Sequence, residues 1–459
     1  MSVLKEFVLL GDGGLGNPKS TIAHSMAWFR DTLYVGCTNP GGASADDCAR
    51  IMRLTADGDW EEAFRSPLRE ADARANAVDR QLAGVLSRAA RRKREKTQGL
   101  VPRDNGYRAM VVFQGRSDPH PCLYTTTLSP WGGLVLRSED GVHFEPVGEP
   151  GLGNSEILSF RGLCAFGDKL FASPAGTSTD TYMDRNFAPE TNVFVSSDPL
   201  SGEWYRAAED GFGDANNRAV YSMTTFAGSL YAGTANSARG FQIWKTEARG
   251  NPPFQWHRVL GDGASRFNLN MAPSCMVEFD GYLYIGGGLP GFGYDKVNDV
   301  GPAAAELIRL APDGQWELIF GIPRFSWDGL KIPLSLHGEG LDDPYNSVVW
   351  SMGVHENVLY VGTHQWEPFD SVKQENGGVL KGGYQVWATT DGRDFEAVTL
   401  DAFGVHTDTG LRTILSTPLG LVLGTANHLQ LIERLGRLSG ASLSDAGGSG
   451  GFRVWLGVE

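Results

Sequence analysis

The stretch 221–246, YSMTTFAGSLYAGTANSARGFQIWKT, decides the fold. It reads as a strand with Met223 at its third position and Phe226 at its sixth, followed by a tight Ala227-Gly228-Ser229 turn. A second strand over residues 230–233 and, after a loop of small residues, a third over 241–245 complete the pattern. Short strands rich in β-branched and aromatic residues, separated by glycine turns, make an antiparallel meander.

The same unit recurs on both sides. HSMAWF (24–29) precedes LYVGCTN, RAMVVF (108–113) precedes CLYTTT, RGLCAF (161–166) precedes LFASPAG, and SCMVEF (274–279) precedes LYIGGG. Two further copies start at Trp350-Ser351-Met352, before LYVGTHQ, and at Arg412-Thr413-Ile414, before LVLGTAN. Six copies run on into a turn and an aromatic that opens a fourth strand, as in RLTADGDWEEAF (53–64), LRSEDGVHFEPV (136–147) and WATTDGRDFEAV (387–398). The seventh end lies at the other terminus, because EFVLLGDG (6–13) matches WHRVLGDG (256–263). The N-terminal strand is therefore expected to complete the last sheet, beside a third strand over 452–456. Seven four-stranded antiparallel blades closed in this way describe an all-β, seven-bladed β-propeller, a single domain over 1–459 with blade starts near 24, 108, 161, 221, 274, 350 and 412.

Composition narrows the partners. A net charge of −14 argues against nucleic acid or an anionic membrane surface. No apolar run reaches membrane-spanning length, and MSVLKEFVLLGDGG leads straight into a strand, so the expectation is a cytoplasmic protein starting at Met1. The five cysteines, Cys37, Cys48, Cys122, Cys164 and Cys275, are odd in number and share no C-x-x-C spacing, which suggests neither a disulfide framework nor a zinc site. Cys164 and Cys275 read as buried small hydrophobes, while Cys37 and Cys48 bracket one loop and could meet.

Loops leaving the second and fourth strands of a propeller emerge on one face. Here those loops are long (38–49, 173–190, 286–303, 363–382 between strands; 11–23, 65–106, 321–348 between blades) and the opposite turns are mostly short, which places function on the elaborated face. The largest insertion, 65–106, reads as a helix from about Pro67 to Lys96, with Glu70 and Asp72 near its start and a basic end over 88–96. That end either complements the helix dipole or docks an acidic protein partner. The Gly/Ser stretch 439–451 reads as a flexible link.

The residues opening the seven inner strands, His24, Arg108, Arg161, Tyr221, Ser274, Trp350 and Arg412, are expected to ring the channel mouth. The next residue is always small (Ser25, Ala109, Gly162, Ser222, Cys275, Ser351, Thr413), as crowding near an axis would require. Arg108, Arg161 and Arg412 make a receptor for an anionic group or a leaving anion. Tyr221 and His24 are candidates for proton transfer, with a pKa lowered by the clustered cations. Trp350 would stack on a planar substrate and Ser274 would add a polar contact. The alternative is that the arginines pair with loop acids among Asp12, Asp210, Asp214, Asp262, Asp342 and Asp343. Asn236, His364 and Asn427, just after second strands, either orient a ligand or cap turns. The nine histidines are scattered without a metal-binding spacing. No cofactor is expected, and the Asp-Gly loops such as 210–214 offer at most a structural calcium site.

The turns SEDGVHF (138–144) and TDGRDF (390–395) resemble degenerate Asp-boxes of sialidases, and three arginines with Tyr221 resemble the arginine triad and tyrosine nucleophile of those enzymes. That resemblance implies glycoside hydrolysis; the adjacent Asp and Gly, the seven units and the lack of an F-R-I-P motif depart from it. The repeat R-x-M…LY-x-GTAN, around Arg108, 221–236 and 412–427, is similar to the propeller domain of cyanobacterial cyclophane-forming (Friedel–Crafts) alkylating enzymes, which join a resorcinol ring to a secondary alkyl halide. It implies a biosynthetic tailoring enzyme with an arginine for the leaving anion and an Asp or Tyr as base. The expectation is thus a cofactor-independent propeller enzyme acting on a small substrate of anionic or aromatic character. The alternative is a lectin-like or scaffold propeller whose loop aromatics Phe292, Tyr294, Trp327, Trp366 and Phe369 form an exposed patch.

Overall fold

The computed structural model describes residues 2–40, 44–71, 99–177, 187–373, 379–439 and 450–458. They form an all-β protein of four-stranded antiparallel meanders, the blades of a β-propeller. One meander runs Ser159–Phe166, Lys169–Ala175, Phe194–Ser196 and Tyr205–Arg206, each strand paired with the next. Others start at Gly106, Ala272, Asn346 and Asp408. The chain divides into two compact units, one of residues 24–232 and 245–257, the other of 1–23, 233–244 and 258–459. In the second of these the N-terminal strand Glu6–Gly11 pairs antiparallel with Val454–Val458, Val8 opposite Leu456, as the matching of the two termini predicts.

Local chemistry explains the repeat. The turns between first and second strands need two successive residues at positive φ, the condition for a hairpin turn whose twist matches the strands. Arg30 and Asp31, Ala227 and Gly228, and Asp280 and Gly281 all meet it. The turns between third and fourth strands are held by an aspartate. Asp140 Oδ1 accepts from the Val142 and His143 amides at 2.8 Å, and Asp391 Oδ1 accepts from those of Arg393 and Asp394 at 2.8 and 2.9 Å. The glycine beside each aspartate seats a tyrosine from an LY-x-G strand, Tyr34 against Gly141 and Tyr284 against Gly392, with no room there for a Cβ. Core clusters such as Tyr34, Ile51, Tyr107 and Leu136, or Tyr284, Leu307, Phe320 and Val361, fill the space between neighbouring sheets.

A second recurrent device closes the loops that follow fourth strands. Pairs of left-handed residues occur at Gly14/Leu15, Gly151/Leu152, Gly211/Phe212, Gly263/Ala264, Gly340/Leu341 and Ala402/Phe403. The first amide of each pair donates back to a carbonyl of the sheet it caps, as Gly211 does to Thr191 at 2.7 Å. Asn217, Asn270 and Asn346 then donate from their side chains to the carbonyls of Gly211, Gly263 and Gly340. This is the role of the G-D-G match between 11–13 and 261–263.

Three expectations are corrected. The insertion does not begin as a helix: Leu68–Glu70 is a strand paired with Leu100–Pro102, so the chain leaves and re-enters as a two-stranded ribbon. The rest of that helix and its basic end fall in 72–98, outside the described residues. Most of the Gly/Ser stretch (440–449) is outside them too, but a helix, Leu429–Ser439, precedes it with Ile432 buried beneath. No disulfide links Cys37 and Cys48, which are free and buried, and Cys164 and Cys275 are partly rather than fully buried.

Candidate functional site

The seven expected ring positions do not open their strands. Several inner strands start earlier, at Asn217, Asn346 and Asp408, so the ring residue sits inside the strand, and at Arg108, Arg161, Ser274, Trp350 and Arg412 it sits at a β-bulge. Phe160 faces Pro174 while Gly162 faces Ser173, which leaves Arg161 as the extra residue. The same count leaves out Ser274, Trp350 and Arg412, and Arg108 with Ala109 is set against one residue in its strand. A bulge lifts a side chain out of the alternation of the ladder and re-aims it.

The bulge also explains the small residue that follows, for which crowding was the expected reason. It frees the carbonyl of the residue before it, and the preceding blade supplies the donor. Ser25 Oγ donates to Tyr107 O at 2.8 Å, Ser351 Oγ to Leu411 O at 2.8 Å, Thr413 Oγ1 to Ala23 O at 3.3 Å and Cys275 Sγ to Val349 O at 3.4 Å. Where that position is Ala109, which has no donor, Thr126 Oγ1 on the next strand donates to Phe160 O at 2.9 Å instead. A Cβ on Gly36 would meet Ser25 Oγ and Tyr107 O, and one on Gly286 would meet Cys275 and Val349, so the glycine of LY-x-G makes room for this bond.

Of the candidate residues, His24, Arg108, Arg161 and Tyr221 belong to one unit. Arg161 lies over the face of Tyr221, its Cζ 3.9 Å from the ring centroid, a cation–π contact. Tyr221 is 6% exposed and its hydroxyl has no hydrogen-bond partner among the described residues. Burial raises its pKa, against the opposing fields of Arg161 and Arg108, so the cations do not lower it as expected and the hydroxyl keeps its proton at neutral pH. Burial lowers that of Arg161, opposed by Tyr221. His24 is buried, with Nδ1 2.8 Å from Thr38 Oγ1.

The other six candidates belong to the second unit, and three of them meet. Arg412 Cζ is 5.5 Å from the Trp350 ring centroid, and Trp350 packs edge-on against His364 at 4.7 Å. His364 continues to His428, 6.0 Å away, and to Phe292 at 5.4 Å; Phe369 touches both Phe292 and His428. The Nδ1 atoms of the two histidines face hydroxyls, Ser347 Oγ at 3.3 Å and Thr409 Oγ1 at 2.6 Å. Burial lowers His364 to about 3, with help from His428, and burial lowers His428 to about 4, so both imidazoles are neutral at pH 7. His428 was missed because it lies one residue beyond the GTAN motif; the apolar spacing Leu429, Ile432, Leu435 was the available signal for the helix it introduces.

The remaining candidates do structural work. Asn427 donates to Asp408 Oδ1 at 2.7 Å and Thr407 Oγ1 at 2.9 Å, and Asn236 Oδ1 accepts from the amides of Ala238 and Arg239. They cap turns, the alternative already open to them. Ser274 stands partly buried at its bulge. Five of the six acids considered as arginine partners bond to other groups: Asp210 to the Thr191 amide, Asp214 to Asn216, Asp262 to Arg239, Asp342 to His337, and Asp343 to Gln365 and Gln385. Asp210 and Asp214 are engaged in turns, and no group of three or more metal-ligating His, Cys, Asp or Glu side chains occurs among the described residues. The loop aromatics form no common exposed patch, because Phe292, Phe369 and Trp366 pack into one cluster and Trp327 stands 84% exposed on a separate hairpin.

No protein-family model matches the sequence, and no curated protein matches it. Solved structures similar to it include the WD40 repeats of RRP9, at 10% identity and a TM-score of 0.46, covering 99% of this chain and 100% of that one. A gluconolactonase from Xanthomonas campestris follows at 11% identity and 0.40, covering 78% and 86%. An α-L-arabinofuranosidase from Fusarium graminearum gives 10% and 0.38, covering 79% and 93%. At this level they assign no chemistry. No helix among the described residues is long and apolar enough to cross a membrane.

Proposed function

We propose that this protein is a cofactor-independent enzyme acting on a small substrate, and that Tyr221, Arg161 and Arg108 receive an anionic group or a leaving anion. The observation that carries the reading is the Tyr221 hydroxyl, buried and without a partner among the described residues, beside a stacked guanidinium. A buried donor left unmade costs about 1–3 kcal/mol, which an anion accepting that O–H would recover, with the arginines supplying the countercharge. Because Tyr221 stays protonated, its role is to donate a hydrogen bond to developing negative charge rather than to attack as a phenolate.

The finer reading is group transfer that releases an anion, with aromatic alkylation as the case suggested by the repeat pattern. There the carbon–halogen bond breaks, its electron pair leaving with the halide toward Arg161 and Tyr221. A carbon–carbon bond forms to the electron-rich ring, and that ring loses its proton to a base. The test is thermal unfolding with chloride, bromide, sulfate, phosphate and a phenolic carboxylate, repeated on Arg108→Ala and Arg161→Lys. A saturable rise in midpoint with one anion class, absent in both variants, supports the receptor. No rise with any of them, or a rise the variants keep, overturns it. Halide release from a secondary alkyl halide supplied with a resorcinol, followed by ion chromatography, decides the alkylation: none above the protein-free rate refutes it.

A further inference from the structure

The segment 322–336 departs from every rule the blades obey. It carries a two-stranded hairpin, Arg324–Ser326 with Gly329–Lys331, in which Arg324 faces Lys331 and Phe325 faces Leu330. In a surface hairpin the apolar pairs turn inward and the charged ones outward. Here the sense is reversed. Arg324 donates to Ala264 O and Glu306 Oε1, each at 2.9 Å, with its guanidinium 5.5 Å from the centroid of the buried Trp316 ring. Lys331 lies over the same ring at 4.8 Å and donates to Trp316 O at 2.9 Å and to Asp328 at 2.8 Å. The two cations rivet the hairpin to the body, and the apolar pair is held outward.

Around that pair stands a set of exposed apolar side chains: Phe325 is 81% exposed, Trp327 84% and Leu336 87%, with Ile322, Leu330 and Ile332 about half exposed. Together they present about 700 Å² of apolar surface, above the roughly 300–600 Å² of the largest patch on a typical monomer and close to the ~800 Å² one partner contributes to a standard interface. Beside this knob is a hole. Trp327 lines a cleft of about 210 Å³ whose other walls are residues 258–262, Ser265 and Trp316.

We infer that the hairpin 322–336 is the centre of a two-fold interface between two copies of this chain, the exposed aromatics of one copy packing on the hairpin and cleft of the other. A knob and a hole on the same patch are what a self-complementary, two-fold contact requires. A lipid surface fits less well, because an interfacial loop shows its cations to the headgroups, whereas Arg324 and Lys331 are turned inward against Glu306 and Asp328, and the chain carries −14 overall.

Sedimentation velocity of the full chain from 0.5 to 100 μM tests this. The expected result is a concentration-dependent shift from monomer to dimer, with Trp327→Ser and Phe325→Ser each weakening dimerisation at least tenfold. Both side chains are exposed, so an unchanged unfolding midpoint at low concentration shows that the fold is intact. A monomer throughout the range overturns the inference, as does a dimer indifferent to both substitutions. Flotation with neutral and with anionic vesicles is run in parallel, and vesicle binding by a chain that stays monomeric would also refute it.

Discussion

Replacing Tyr221 by phenylalanine removes one oxygen atom and leaves the ring under Arg161. The ordinary outcome of such a change at a buried tyrosine is destabilisation, since a hydrogen bond of about 0.5–1.5 kcal/mol is lost. At Tyr221 there is no partner to lose among the described residues, and the side chain is 6% exposed, so the desolvated hydroxyl is a standing cost. The cation–π contact survives, because a phenylalanine face attracts a guanidinium nearly as well. The expected net effect in the absence of ligand is therefore a stabilisation of about 1–2 kcal/mol. In urea unfolding, with an m-value of about 4 kcal/mol/M for a chain of this size, that is a midpoint raised by roughly 0.3–0.5 M at constant m. Tyr124→Phe is the control for the sign: the Tyr124 hydroxyl donates to the buried Asp118 carboxylate at 2.6 Å, and its loss should lower the midpoint by a similar amount. If Tyr221→Phe lowers the midpoint as Tyr124→Phe does, the hydroxyl is already satisfied in the folded protein and the basis of the anion receptor is gone.

Two further outcomes follow from buried charge. His364 and His428 titrate in the folded protein near 3 and 4, below the ordinary 6.5, so between about pH 6.5 and 4 the unfolded chain binds more protons and acidification must destabilise. Urea midpoints should fall steadily across that window and His364→Gln should flatten the fall; a midpoint flat down to pH 4 contradicts the burial of the pair. Arg137, 3% exposed at its side chain, holds the fully buried Asp118 at 2.5 Å, and Arg137→Met should cost about 3–5 kcal/mol in chemical unfolding by leaving that carboxylate unpaired. A loss below about 1 kcal/mol would mean that Tyr124 and the Gly115 amide suffice for it.

The strands were legible because their signals are local. The alternation in YSMTTF, the LY-x-G strands and the D-G turns each report φ/ψ and burial that neighbouring residues impose, and the match of 6–13 to 256–263 placed the N-terminal strand correctly. The candidate site was legible only in part. Arg161 and Tyr221, and Trp350 and Arg412, were singled out because they hold equivalent positions of the repeat, and the members of each pair lie against one another. The bulge was invisible, since one unpaired residue in a ladder leaves no mark on composition, and its trace, the small hydroxyl or thiol after five of the seven ring residues, has a second explanation in crowding. Asn236 and Asn427 stayed open between ligand and cap for a related reason: an amide that caps a turn and an amide that meets a substrate are the same residue type in the same loop. The reversed hairpin at 324–331 has the ordinary alternation of a strand, and only Trp316 beneath it decides which way it faces.

The paired bulge and hydroxyl carry a consequence for how such a protein can change. In an unbroken ladder, a new side chain must suit both the pleat and the partner strand, so chemistry and scaffold are altered together. At Arg161, Trp350 and Arg412 the backbone defect is mended by a neighbour, Thr126, Cys275 and Ser351 respectively, acting on the carbonyl before it, whatever the bulged residue is. Each address then behaves as a socket whose wiring is independent of what is plugged into it, and drift can exchange an arginine for a tyrosine, a tryptophan or a serine one blade at a time while every strand keeps its register.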